Sequence, residues 1–181
     1  MIYRFDKVTS TNDVAKMTEY LDVPNGTVFV AAEQTAGRGR YGKQFYSPTQ
    51  LGIYMTVVLY VDEVENAGAD PITIRAAEAV CRVLERHSGK ALRIKPINDI
   101  FLVESNRKIC GILVENNSSL PNRVIVGIGI NYAEPCGGYP ADIADTAGAL
   151  FCTEDEAEHV SKDMLISDIA KELLSEFTAK E

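Results

Sequence analysis

The chain has 181 residues, 46% of them hydrophobic, and a formal net charge of -8 at pH 7. That length supports one substantial core and leaves little room for a second full domain, so residues 1-181 read as a single unit. The acidic balance excludes broad nucleic-acid binding, which needs a basic face that survives physiological salt, so any anion site must be local.

The longest apolar runs, Leu51 to Val61 and Val124 to Ile130, are too short to cross a bilayer. The opening MIYRFDKVTS lacks the basic end, long apolar stretch and cleavage site of a secretory signal, so a cytoplasmic location without membrane contact is expected. Cys81, Cys110, Cys136 and Cys152 are scattered, with no C-x-x-C pair and no His at ligand spacing. That pattern argues against both a zinc site and a disulfide framework.

In chain order, Ile2 to Val8 alternates as a short strand, and Ser10-Thr11-Asn12 supplies cap residues for a helix from about Asp13 to Leu21. Pro24-Asn25-Gly26 is a turn. Thr27 to Ala32 and Gly52 to Tyr60 are rich in strand formers, and the polar, Gly-rich stretch Gln34 to Gln50 between them reads as a long loop. Loops of that length inside compact domains tend to be functional. Asp70-Pro71 opens a second helix, whose Ile74, Ala77, Val80, Cys81 and Leu84 keep helical spacing up to Ser88-Gly89. Leu92 to Ile94, Ile100 to Val103, Lys108 to Glu115 and Arg123 to Ile130 follow as strands joined by short polar turns, a meander of hairpins. Beyond an irregular segment around Pro135 to Pro140, Lys162 to Phe177 is amphipathic, with Leu165, Ile169, Leu173 and Phe177 on one helix face. The fold class is α+β, a mixed and mostly antiparallel sheet with helices packed on it.

Three segments carry chemistry. In Gly37-Arg38-Gly39-Arg40-Tyr41-Gly42-Lys43 the glycines permit close backbone approach and the cations have no intervening acid. In an acidic chain this is a local anion trap, or else a solvated basic turn with little to hold it in place. Asn98-Asp99 opens one strand and Lys108 the next, so carboxylate and ammonium can meet across the hairpin, or else serve as a turn starter and an edge charge. Val126-Gly127-Ile128-Gly129-Ile130-Asn131 is a strand whose alternating glycines admit a ligand or another backbone. Cys110, on a core strand without a nearby His, reads as a packed thiol rather than a nucleophile. His87 and His159 read as surface residues.

In this order, Ser10-Thr11-Asn12, Glu33-Gln34 with the Gly37 to Gly42 loop, Asn98-Asp99, Lys108 to Glu115 and Gly127 to Asn131 resemble the biotin protein ligase family, from about Tyr3 to Asn131. The resemblance implies a class II synthetase/biotin ligase-like fold. It also implies an ATP-dependent reaction with Mg²⁺, in which the biotin carboxylate attacks the α-phosphate, pyrophosphate leaves, and the biotinyl-5'-adenylate acylates a lysine of a biotin carboxyl carrier domain. By the same resemblance Lys108, Arg40 and Asp99 are catalytic, with Asp99 taking the carrier lysine's proton or helping to hold metal. Biotin falls to Ser10, Thr11, Asn12, Gln34, Arg38, Gly39, Arg40, Lys108 and Gly111. The nucleotide falls to Gly37, Arg38, Arg40, Asn98 and Asn131. Expected partners are the carrier domain of a biotin-dependent carboxylase and a second copy of the chain.

The sequence departs from the family pattern at several points. Pro96-Ile97 stands where Trp-Pro is usual, Phe45 where Trp is usual, Lys43 where Arg is usual, and Ala133 in place of a second asparagine. An N-terminal helix-turn-helix and a C-terminal barrel domain are both expected to be lacking. Two other readings stand beside the ligase: a biotin-binding pseudo-ligase or sensor with impaired transfer, and a related lipoate or acyl-carrier transferase. A hydrogen-bonding head-group pocket argues against the lipoate reading.

Overall fold

The computed structural model describes residues 1–61, 69–117, 120–152, 156–157 and 159–178. Seven strands form one sheet: β1 (Ile2–Val8), β2 (Thr27–Gln34), β3 (Gly52–Tyr60), β4 (Leu92–Lys95), β5 (Asp99–Leu102), β6 (Lys108–Asn117) and β7 (Leu120–Asn131). Their order across the sheet is β1-β2-β3-β7-β6-β5-β4. Among the named strands only the β1–β2 pair is parallel, which requires a crossover, and the short helix α1 (Thr11–Ala15) supplies it. After β3 the chain passes through α2 (Ala69–Ser88) to the far edge and returns strand by strand, so the expected meander ends with β7 beside β3.

Alternation along the strands gives the sheet two different faces. Val28 and Val30, Met55, Val57 and Leu59, Val124 and Val126, and Ile112 and Val114 point into a core. That core is closed by Ala76, Val80 and Leu84 of α2 and by Leu165, Ile169 and Leu173 of α3 (Lys162–Thr178). At the end of α2, His87 is not the surface residue its sequence context suggests. Its side chain is only 14% exposed, and Nε2 lies 3.0 Å from Asp168 Oδ2 of α3, linking the two helices.

The opposite face is apolar at one end, where Phe29, Val58 and Ile125 meet Val14 and Ala15 of α1 and Tyr3 stacks on Phe29. Toward β5 glycines stand on β7 and β6 in place of side chains. The register aligns Tyr54, Gly129, Gly111 and Asp99 in one row and Thr56, Gly127 and Leu113 in the next. Cleared floor on one side and continuous core on the other make this face the place for a site.

The first helix is shorter than the pattern from Asp13 to Leu21 suggests. Met17 is extended, with ψ 147°, and the chain resumes as a 3₁₀ turn at Thr18–Tyr20. The reason lies on β7. Arg123, only 2% exposed, donates from Nη2 to the carbonyls of Ala15 at 2.8 Å and Tyr20 at 3.0 Å. A buried guanidinium thus gathers carbonyls that a continuous helix would have bonded internally. Replacing it by methionine keeps volume but orphans both acceptors. Arg123→Met is expected to lower stability by about 2–4 kcal/mol in denaturant titration, and an unchanged midpoint would refute the role.

Candidate active site

Asn12 lies flat against the sheet because residue 127 is glycine: a Cβ there would come within 2.3 Å of Asn12 Oδ1. The side chains of Ser10-Thr11-Asn12 do not cap α1 as expected. Ser10 occupies the N-cap position without a side-chain cap bond, and all three residues are buried. Their groups turn sideways instead. Gln34 Oε1 accepts from the Thr11 backbone N–H at 2.8 Å and lies 3.2 Å from Thr11 Oγ1, while Gln34 Nε2 donates to Ser47 Oγ at 3.2 Å. Thr56, fully buried on β3, places its hydroxyl 2.6 Å from Asn12 Oδ1 and 2.8 Å from Thr11 Oγ1. Asn12 Nδ2 donates to Glu115 Oε2 at 2.7 Å, and Lys16 Nζ holds the other carboxylate oxygen at 2.7 Å.

The second cluster lies farther along the glycine row. Lys108 Nζ is 2.7 Å from Asp99 Oδ1, so the hairpin does bring ammonium and carboxylate together. The two are not directly opposite: Asp99 pairs with Gly111 and Lys108 with Phe101, across an irregularity at Ile100/Phe101. Lys108 therefore reaches back over Gly111, whose absent Cβ would lie 3.2 Å from Nζ. Gly111 makes room for the lysine itself, a use not foreseen in the sequence. Asp99 Oδ1 is buried and makes no hydrogen bond of good geometry, so the ion pair is its principal contact. Phe45 lies over Gly129, where a Cβ would be 2.5 Å from its ring, and Lys108 Nζ sits 5.8 Å from the ring centroid. Cys110 is buried behind this cluster, and burial pushes its thiol well up despite the pull of Lys108, in keeping with a packed thiol.

The two asparagines expected at the nucleotide are turned to the backbone. Asn98 Nδ2 donates to the Ile112 carbonyl at 3.1 Å, and Asn131 Nδ2 donates to Gly148 O at 2.9 Å. The Asn131 contact fastens the segment that also bonds the backbone of Lys108 through Thr146 O and Gly148 N. Both asparagines brace the site walls.

The basic loop is not the unsupported tract its composition suggests. Gly39 N–H bonds Lys43 O at 2.7 Å and Phe45 N–H bonds Gly37 O at 2.9 Å, closing a small hairpin around a 3₁₀ turn at Arg40–Gly42. Gly37 is packed so closely that a Cβ would meet Ser47 Oγ at 2.7 Å. Acids from elsewhere meet the two arginines. Arg38 makes a two-pronged pair with Asp13 at 2.8 and 2.5 Å, and Arg40 Nη1 is 3.1 Å from Asp70 Oδ1 at the start of α2. The hydrogen bond from Arg38 holds the Asp13 carboxyl below its ordinary range, against the upward push of partial burial. Arg38, Gly39, Arg40, Leu113 and Glu115 line a cleft of about 350 Å³. Among the described residues no group of three or more His, Cys, Asp or Glu side chains is placed to hold a metal ion.

Sequence reading places Asp13 and Asp70 at helix starts and Glu115 at the end of a motif, but assigns none of them, nor Thr56, to the site; the trace of Thr56 is a hydroxyl inside the apolar run Ile53 to Leu59. Because the Asp13 pKa is depressed in the folded state, the Arg38 tie is intact above the ordinary carboxylate range and is lost as pH falls through the depressed value. Asp13→Asn removes it at neutral pH. Faster trypsin cleavage after Arg38 and Arg40 in the ligand-free variant is the expected result, and an unchanged rate would show that the hairpin bonds hold the loop alone.

A protein-family comparison matches residues 3–131 to the biotin/lipoate A/B protein ligase family. The bifunctional ligase/repressor BirA of Bacillus spizizenii is 34% identical over 152 residues, 83% of this chain and 46% of its own. The biotin--[acetyl-CoA-carboxylase] ligase of Paracoccus denitrificans is 35% identical over 114 residues, 60% of this chain and 46% of its own. The chain thus spans less than half the length of these relatives. Among solved structures, the biotin protein ligase from Aquifex aeolicus in complex with biotin and ATP superposes with a TM-score of 0.77 at 27% identity, over 97% of this chain and 69% of that one. The chain therefore belongs to the biotin/lipoate A/B protein ligase family and has the fold of a biotin ligase catalytic domain.

Proposed function

We propose that this chain catalyses ATP-dependent formation of biotinyl-5'-adenylate and transfer of biotin to a lysine of a biotin carboxyl carrier domain. One observation carries the reading. A polar head-group network (Thr11, Asn12, Gln34, Thr56) and a lysine–carboxylate pair (Lys108, Asp99) share one sheet face, linked by a floor of Gly127, Gly129 and Gly111. A bicyclic ureido head needs hydrogen-bond partners when buried, and a carboxylate meeting a phosphate needs a cation between them. The two clusters supply these needs in that order along the face.

In this scheme Lys108 turns from Asp99 toward the biotin carboxylate and the α-phosphate, lowering the repulsion between the two anions as the P–O bond forms and pyrophosphate departs. Arg38 and Arg40 exchange their aspartates for ligand oxygens, and Gly37 and Gly39 let the loop backbone approach. Ser10 closes the head-group end, while Asn98 and Asn131 hold the walls of the nucleotide end. Asp99 is the residue here that would help to hold Mg²⁺ brought in with ATP, and the ion would supply charge compensation for the departing pyrophosphate. In the second step the carrier lysine's amine attacks the acyl carbonyl, the bond to AMP breaks, and Asp99, freed from Lys108, accepts the amine's proton.

Biotin-dependent exchange between ATP and pyrophosphate tests the first step. The unaltered chain should show it, and Lys108→Ala should lower it by about 10²–10³-fold. Exchange that survives the substitution would place the catalytic cation elsewhere. Tight biotin binding without exchange at any Mg²⁺ concentration would favour a sensor.

Thermal unfolding distinguishes the ligand classes. A pocket of paired donors and acceptors rejects the apolar dithiolane of lipoate, because its own polar groups would be stranded. Biotin should raise the unfolding temperature and lipoate leave it nearly unchanged, whereas equal shifts would remove the biotin assignment.

A further inference from the structure

The hydrogen bonds around Asn12 determine which groups donate as well as where they sit. We propose that Glu115 is a positioning residue that sets the donor and acceptor sense of the whole head-group pocket. This assignment rests on the biotin reading above and names what enforces its selectivity.

The logic starts from one charge. Glu115 is paired with the Lys16 ammonium at 2.7 Å, and a carboxylate in that state only accepts. Its other oxygen takes Asn12 Nδ2 at 2.7 Å, with the Leu113 carbonyl a longer second acceptor at 3.4 Å, and this turns the amide so that Oδ1 faces Thr56 Oγ1 at 2.6 Å. An amide oxygen also only accepts, so the single proton of Thr56 is spent there. Thr11 Oγ1 then has two acceptors beside it, Thr56 Oγ1 at 2.8 Å and Gln34 Oε1 at 3.2 Å, so its one proton is spent inside the network. Thr11 therefore meets a ligand with lone pairs, the complement of a ureido N–H. Gln34 follows the same sense: Oε1 takes the Thr11 backbone N–H at 2.8 Å, Nε2 faces Ser47 Oγ at 3.2 Å, and Ser47 donates to Phe45 O at 2.9 Å.

A glutamine at position 115 would keep the shape but not the polarity, since an amide can present either end. Asn12 would keep only its long bond to the Leu113 carbonyl as a fixed acceptor, so its amide could flip and the protons of Thr56 and Thr11 reverse. A substitution at the margin would then be felt at Thr11, which it does not touch.

The test is calorimetric titration with biotin and with lipoate, which lacks the ureido group, with thermal unfolding followed in parallel. Glu115→Gln should weaken biotin binding by roughly ten- to a hundredfold and leave any weak lipoate binding unchanged. Asn12→Asp alone sets two carboxylates face to face and should also lose biotin. The double substitution should regain most of the affinity, because the carboxylate at position 12 accepts from both the amide at position 115 and Thr56. Simple packing would not produce that rescue. Thr56→Val cuts the chain without altering Glu115, so it stays informative even if Glu115→Gln fails to fold, and the same loss is expected. Unchanged biotin affinity in Glu115→Gln or Thr56→Val, or a folded double variant without rescue, overturns the assignment while leaving the biotin reading intact. Absence of biotin binding by the unaltered chain removes the biotin reading and the assignment with it.

Discussion

The approach of Asn12 to the sheet at Gly127 is the constraint on which the site depends. A methyl group at residue 127 would stand 2.3 Å from the Asn12 amide oxygen, closer than non-bonded atoms approach, so α1 can lie on this face only where the strand has no side chain. With α1 in place, Thr11 reaches Gln34 and Thr56, and Asn12 reaches Glu115. Arg123 holds the rear of the same segment by gathering the carbonyls of Ala15 and Tyr20. The polar network is therefore built between one helical turn and residues of β2, β3 and β6, with the glycine of β7 beneath it.

Electrostatics follows a similar economy. Arg38, Arg40 and Lys108 each face an aspartate, namely Asp13, Asp70 and Asp99. The side chains of Arg38 and Asp13 remain 37% and 32% exposed, and pairs that wet are individually weak. Such ties order the loop without committing it. Lys108 is set over a glycine beside an aromatic ring, and the Asp99 oxygen it faces is buried.

Local pattern carried much of the fold. The periodicity of α2 and α3, the strand alternation and the turn residues predict elements close to those observed, and the hairpins order themselves into the β4 to β7 meander. It failed at α1, where Arg123, more than a hundred residues away, takes up the Ala15 carbonyl. It failed again at His87, because exposure at a helix end depends on what packs there, and α3 does.

The sequence by itself determined the composition of the site: the glycines that clear its floor, the cations of the loop, and the lysine and carboxylate of one hairpin. These are local properties, set by backbone freedom and charge within a few residues. Only the tertiary structure decided who answers them. Asp13 reaches Arg38, Asp70 reaches Arg40, and Glu115 meets Asn12 across 103 residues of chain. An ion pair or a hydrogen bond acts over a few ångströms of space and is indifferent to separation along the chain. The partners, and with them the donor and acceptor sense of the pocket, exist only once the strands are in register.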